Sequence, residues 1–193
     1  MKLVLKGHNE RYTVEQSLMN LFPGELPVYE PIAPGEDGAV VSCREDGDSL
    51  TASTALTRCG KTVSRSFAAT LSGTAFDREG QRRHAIAAGF YLAALEFLEA
   101  PPPWGMLTGV RPDKPAAWAV GAGKSRSDAQ RILEETYFVS SSRAALAAET
   151  GALAAEAAKA LAPRDLAVYV GIPFCPTRCA YCSFVSQSVE KSF

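Results

Sequence analysis

The spacing of apolar residues changes at Asp77, and this change constrains the fold of the 193-residue chain more than any other feature. Before it, short apolar runs alternate with turn residues; after it, apolar residues recur at helical spacing. Lys2–Lys6, Ala39–Arg44, Leu50–Arg58 and Thr62–Leu71 read as strands. Asp46-Gly47, inside the turn Glu45-Asp46-Gly47-Asp48, signals a hairpin. Tyr12–Phe22 reads as one early helix, with Val14, Leu18, Leu21 and Phe22 on a shared face and Pro23-Gly24 to stop it. Pro27, Pro31 and Pro34, with Gly35 and Gly38, form a loop before the next strand.

The helical part begins with a long helix over Asp77–Ala100, with Asp77 as its N-cap and Pro101-Pro102-Pro103 to end it. Ile86, Phe90, Leu92, Leu95, Phe97 and Leu98 cover more than one of its faces, so it should lie centrally in a core. Trp104–Arg111 reads as a loop, and Pro112–Val120, Ser127–Phe138 and Ser140–Ala162 as further helices. The last has 11 alanines, which favour helix and allow close packing. Strands early and helices late predict an α+β domain over residues 1–165. Leu166–Val170 then reads as a short apolar strand.

Lys plus Arg number 20 and Asp plus Glu 21, a net charge of -1, which gives no support to a nucleic-acid partner. No apolar run is long enough for a membrane span, and the first residues carry too short a run for a signal peptide. The expectation is a cytoplasmic protein. Gly121-Ala122-Gly123-Lys124-Ser125 ends like a phosphate-binding loop, but Trp118 stands where that loop needs a glycine. A helix also precedes it where a strand is required, so a helix-ending glycine turn is the better reading.

There are five cysteines. An odd number without an export signal argues against a disulfide framework. Cys43 and Cys59 stand alone among strand residues and are expected to be small buried hydrophobes. Cys175, Cys179 and Cys182 form a C-x3-C-x2-C cluster, the one dense chemical feature of the chain. Three chemistries suit it. Zinc would need a fourth ligand, and His8 and His84 are distant in sequence. Redox or structural thiols need fewer than three in eight residues. An iron–sulfur cluster suits soft thiolates, and three of them leave one iron of a [4Fe–4S] cluster open.

The flanks read Tyr169-Val170-Gly171-Ile172-Pro173-Phe174 before the cluster, with Tyr181 just before its last cysteine. This arrangement resembles the radical S-adenosylmethionine (SAM) enzymes. The Tyr-x-x-Ile-Pro-Phe-Cys lead-in is similar to that of the oxygen-independent coproporphyrinogen III oxidase group. Trp104-Gly105-Met106-Leu107-Thr108-Gly109-Val110-Arg111-Pro112-Asp113-Lys114 resembles the corresponding stretch of its HemZ-type coproporphyrinogen dehydrogenase branch.

The resemblance implies that Cys175, Cys179 and Cys182 ligate a [4Fe–4S] cluster whose open iron binds SAM. It places Tyr169 near the cluster and SAM, and the backbone of Tyr181 near the adenine. Phe174 and Phe184 would shield the cluster. The implied reaction is oxidative decarboxylation of two propionates of coproporphyrinogen III to give protoporphyrinogen IX in haem biosynthesis. Its partners would be the tetrapyrrole substrate and an electron donor. Residues 166–193 would be the first β-strand and cluster loop of a radical SAM α/β (TIM-like) barrel. A full barrel needs about 200 residues or more. Eleven residues follow Cys182, so the expectation is a C-terminally truncated fragment, inactive alone, with a loosely packed last segment.

Gly171 stands where the well-characterised oxidases have His, and Phe184 where they have a further Cys. The Cys-x-Phe ending also occurs in haem-trafficking relatives, so a haem-binding and transfer protein is the alternative, with a zinc-binding interaction module as a third. Arg78, Arg82, Arg83, Arg111 and Lys114 are cations of the kind that meets propionates; a solvated face is their more ordinary role.

Overall fold

In the computed structural model, residues 1–107, 111–162, 164–166, 168–177, 179 and 187–188 are described. The chain divides into two units, Met1–Lys159 and Ala160–Phe193.

The first unit is built on a four-stranded sheet in the order β1-β2-β3-β4. β1 is Lys2–Lys6, β2 Gly38–Asp46, β3 Ser49–Arg58 and β4 Lys61–Thr70. β1 runs parallel to β2, and β2, β3 and β4 form an antiparallel meander. The parallel step requires a crossover, and α1 (Arg11–Leu21) with the proline-rich loop supplies it. Alternation sets the register. Ala39, Val41 and Cys43 of β2 point to the same face as Leu50, Ala52, Thr54 and Leu56 of β3, and all are buried.

Two-residue turns fix both hairpins. Gly47-Asp48 joins β2 to β3, with Gly47 at φ 60°. Cys59-Gly60 joins β3 to β4, with φ 50° and 74°. Positive φ at the first central residue of the first turn, and at both of the second, matches the twist of the flanking strands. This corrects the expectation for Cys59. It is exposed at the turn, where its N–H donates to Asp37 Oδ1 at 2.8 Å. Cys43 is buried as expected.

α1 and α2 (Ala75–Ala94) cover the apolar face of the sheet. α1 buries Val14, Ser17, Leu18 and Leu21 at helical spacing. α2 buries Ala85, Ile86, Ala88, Gly89, Phe90, Tyr91, Ala93 and Ala94. At Gly89 the helix comes so near the sheet that a Cβ would lie 3.2 Å from the carbonyl oxygen of Ala52. The cap of α2 is Thr74, not Asp77. Asp77 is the third residue of the helix, and its carboxylate accepts from the Thr74 N–H at 2.8 Å. The Thr74 hydroxyl accepts in return from the Asp77 N–H, completing a capping box. The helix also ends earlier than the proline run suggests. A 3-10 turn at Leu95–Phe97 follows Ala94, and Glu96 there pairs with Lys61 and Arg65 of β4.

The rest of the unit is a three-helix cluster of α3 (Lys114–Gly121), α4 (Arg126–Tyr137) and α5 (Ser141–Lys159). Its core is small: Ala116, Ala119, Ala129, Leu133, Val139, Ala144, Ala147 and Ala148. The alanine-rich composition thus appears as close helix contact. A Cβ on Gly151 of α5 would meet the Ala117 backbone nitrogen of α3 at 2.7 Å. Phe138 caps α4 in the left-handed region at φ 58° and stacks on Tyr91, with ring centroids 5.2 Å apart. The Gly121–Ser125 stretch joins α3 to α4, with Gly123 at φ 87° and Ser125 capping α4 against Asp128. It is a helix-to-helix turn, so the phosphate-loop context is missing.

In the second unit, Leu166, Val168, Tyr169 and Val170 are 78–90% exposed and lie in no strand. This corrects the Leu166–Val170 strand expected from sequence. An apolar run becomes a strand only where a neighbour completes its ladder. The pair that does so is β5 (Phe174–Cys175) with β6 (Gln187–Ser188). Among the described residues, no helix is long and apolar enough to cross a membrane.

Candidate functional site

The cysteine cluster begins inside β5. Phe174 pairs with Gln187 and Cys175 with Ser188 in a parallel ladder, and the Gln187 N–H donates to the Pro173 carbonyl at 2.7 Å. The two ends of the connecting segment, which carries the other cluster cysteines in sequence, are therefore held side by side. Cys175 is half-buried and Cys179 exposed, and both thiols are free. Cys182, Tyr181, Arg178 and Phe184 lie outside the described residues. Among the described residues, no three His, Cys, Asp or Glu side chains converge on one point.

The donor chemistry nevertheless fits a thiolate-bound metal. Two soft ligands are free of disulfides and reachable, on a loop anchored at its base. Tyr169 is 86% exposed. A Cβ at Gly171 would lie 3.1 Å from its Cε1, so the missing side chain there leaves room for the Tyr169 ring.

The five candidate cations separate into two groups. Arg78 donates to Asp48 Oδ1 at 2.7 Å and Arg83 to Glu79 Oε1 at 2.7 Å, while Arg82 pairs with Glu45. The Arg82 hydrogen bond holds the Glu45 carboxyl below the usual carboxylate range. Two of these pairs tie α2 to the β2–β3 hairpin, so their charges already have partners. Arg111 and Lys114 behave differently. Neither pairs with an acid among the described residues, and the Lys114 ammonium sits 4.7 Å from the Trp118 ring centroid.

Trp118, read from sequence only as a departure from a phosphate loop, and Lys159 line the same groove as Arg111. The signal for the first was available, because Lys114 and Trp118 are four apart on a helix and so share a face. Lys159 is 45 residues from Lys114, and no local pattern joins them. The two histidines also have defined settings. His8 Nε2 lies 3.2 Å from the Val41 carbonyl, and its Nδ1 accepts from the Glu10 N–H at 3.2 Å. His84 lies edge-on to Phe67 and Tyr137, and its buried Nε2 has no hydrogen-bond partner among the described residues. Burial lowers the pKa of both.

The site so described belongs to the class of thiol-bearing loops with the donor chemistry to hold a metal. Among named proteins, the chain is similar to the oxygen-independent coproporphyrinogen-III oxidase-like protein HemZ of Bacillus subtilis (strain 168). The two are 35% identical over 89 residues, which is 45% of this chain and 18% of that protein. The match thus spans less than a fifth of its relative. No family model matches. A solved structure titled as that of an uncharacterized protein aligns with 50% of this chain and 92% of its own, at TM-score 0.36 and 14% identity. A likeness that low assigns neither fold nor activity.

Proposed function

We propose that the chain is part of a radical SAM oxidoreductase of the oxygen-independent coproporphyrinogen III oxidase type, acting in the cytoplasm. The observation that carries the reading is the C-x3-C-x2-C loop, whose described thiols are free and anchored at a parallel strand pair. The 35% identity to a HemZ protein supports the same reading. Cys175, Cys179 and Cys182 would hold three irons of a [4Fe–4S] cluster, leaving the fourth for SAM. When bound, cluster and SAM supply the one-electron oxidising chemistry needed to decarboxylate a propionate, with an external electron donor. The chain's own residues position and shield. Phe174 precedes Cys175 in β5 and would help to shield the bound cluster from water. Tyr169 and Tyr181 would flank the SAM site. The start of a radical SAM α/β barrel at residues 166–193 belongs to the same proposal.

The test is anaerobic reconstitution of the full chain with iron and sulfide. About four irons and four sulfides per chain are expected, and Cys175→Ser, Cys179→Ser and Cys182→Ser should each abolish stable loading. Zinc bound without iron or sulfide would overturn the reading in favour of an interaction module. Phe184 at the position after Cys182-Ser183 favours one second reading, haem transfer on the same scaffold. Stoichiometric haem binding by the loaded protein, without porphyrinogen turnover in the full-length enzyme, would select it.

A further inference from the structure

A groove of about 410 Å³ lies between α3 and α5. Its apolar lining includes Ala154, Ala155 and Ala158 of α5 and the indole of Trp118. Its rim carries Arg111 and Lys159. Lys114 adds a third cation against the indole. No acidic side chain lines it among the described residues, and none of the three cations is in an ion pair there.

Two features make this surface unusual. Trp118 is 65% exposed, whereas a tryptophan of a folded domain is normally well buried. Lys114 is the first residue of α3, where the positive end of the helix disfavours a cation. Asp113 at the N-cap position is the nearest acid in sequence to Arg111 and Lys114, and Glu156 to Lys159; among the described residues neither is in an ion pair with them. An anion in the groove would meet cations that no ion pair occupies among the described residues.

We propose that this groove docks a carboxylated tetrapyrrole, with the macrocycle against Trp118 and the alanine lining and the propionates on Arg111, Lys114 and Lys159. The identity of the ligand rests on the function proposed above; the groove does not. A tetrapyrrole matches both halves of the surface, because it joins a broad apolar ring to several carboxylates. The groove volume suits partial burial of such a ring, within the usual range of ligand sites. Aromatic contact supplies affinity, and the cations fix orientation through charge-assisted hydrogen bonds. The groove thus acts as a holding site built from α3, α5 and Arg111 alone.

The probe is metal-free coproporphyrin III, which excludes axial ligation of iron. Its fluorescence anisotropy is titrated with the full chain as isolated. Binding should weaken about two- to tenfold in Trp118→Ala. It should weaken about two- to fivefold in each of Arg111→Gln and Lys159→Gln, the range for exposed charge contacts. Citrate, with carboxylates but no ring, should not compete. Arg83→Gln, an exposed cation off the groove, should leave affinity unchanged. The proposal is overturned if coproporphyrin III does not bind, if the groove variants bind as the parent does, or if Arg83→Gln weakens binding equally. Self-association abolished by Trp118→Ala would assign the face to a second copy and also overturn it. The triple variant Cys175→Ser, Cys179→Ser, Cys182→Ser separates the two proposals. Lost iron with retained coproporphyrin affinity supports the groove, whereas lost affinity puts the ligand at the cysteines and refutes it.

Discussion

The contact of α3 with α5 gives a quantitative test of the packing. Gly151 is buried in the middle of α5, where glycine costs about 1 kcal/mol relative to alanine by helix propensity alone. If propensity decided, Gly151→Ala would stabilise the protein. The neighbours oppose this. An added Cβ would lie 2.7 Å from the Ala117 nitrogen, 2.8 Å from the Ala116 Cβ and 3.0 Å from the Asp113 carbonyl oxygen. All three are backbone or first side-chain atoms, so relief requires moving α3 as a body. Overpacking of this kind costs about 1–3 kcal/mol.

Gly80 supplies the internal control. It lies in the interior of α2, and a Cβ added there would meet nothing within 4 Å. Gly80→Ala should therefore gain about 1 kcal/mol. Both substitutions reduce unfolded-chain freedom alike, so the difference between them isolates the packing cost. It should be about 1–3 kcal/mol, with Gly151→Ala the less stable. For a chain of this length each kcal/mol moves Tm by about 2–4 °C. Urea unfolding followed by far-UV circular dichroism measures both. If Gly151→Ala stabilises as much as Gly80→Ala does, the close approach of α3 to α5 is wrong.

Two further outcomes follow from named groups. The folded-state pKa of His84 is lowered by burial from 6.5, so its stabilising contribution is present above that value and lost as pH falls through the lower folded value. Relative to His84→Phe, the parent should lose stability below pH 6.5, by at most about 1.4 kcal/mol per pH unit. Denaturation midpoints of both proteins from pH 8 to 5 check this, and parallel curves refute it. Ser125→Ala removes the hydroxyl that caps α4 and should cost about 1 kcal/mol in the same unfolding assay; no loss would mean that the capping box does not hold the helix start.

The elements most legible in the sequence are those specified by neighbours in the chain. Asp46-Gly47 marks the first hairpin because the turn needs positive φ at once, and Gly47 supplies it. Alternation along Leu50–Leu56 marks a buried face for the same local reason. What escaped depends on distant partners. Cys59 reads as a strand hydrophobe until the register places it at a two-residue turn. Leu166–Val170 has strand composition, but composition does not create a ladder partner. Asp77 is recognisable as a capping residue, yet which member of the box it is depends on where the helix starts. At the cysteine loop, the spacing of Cys175, Cys179 and Cys182 is visible at once in sequence. The parallel pairing that anchors its ends is not, since it joins residues distant along the chain.

The cations carry this distinction furthest. Arg78, Arg82, Arg83, Arg111 and Lys114 are equivalent as sequence: basic residues near helix starts. Asp48 and Glu45, 30 and 37 residues away, decide that Arg78 and Arg82 are structural. Their exposed ion pairs contribute little stability, on the order of 1 kcal/mol or less, but they occupy the charge. Arg111 and Lys114 meet no acid among the described residues and gain Lys159 across the α3–α5 contact instead. Lys159 ends α5, where the helix dipole favours a cation, while Lys114 opens α3, where it does not. Folding alone offers no reason to gather the second set around an exposed indole. Recognition of a flat anion does, because its carboxylates would meet cations that no ion pair occupies among the described residues.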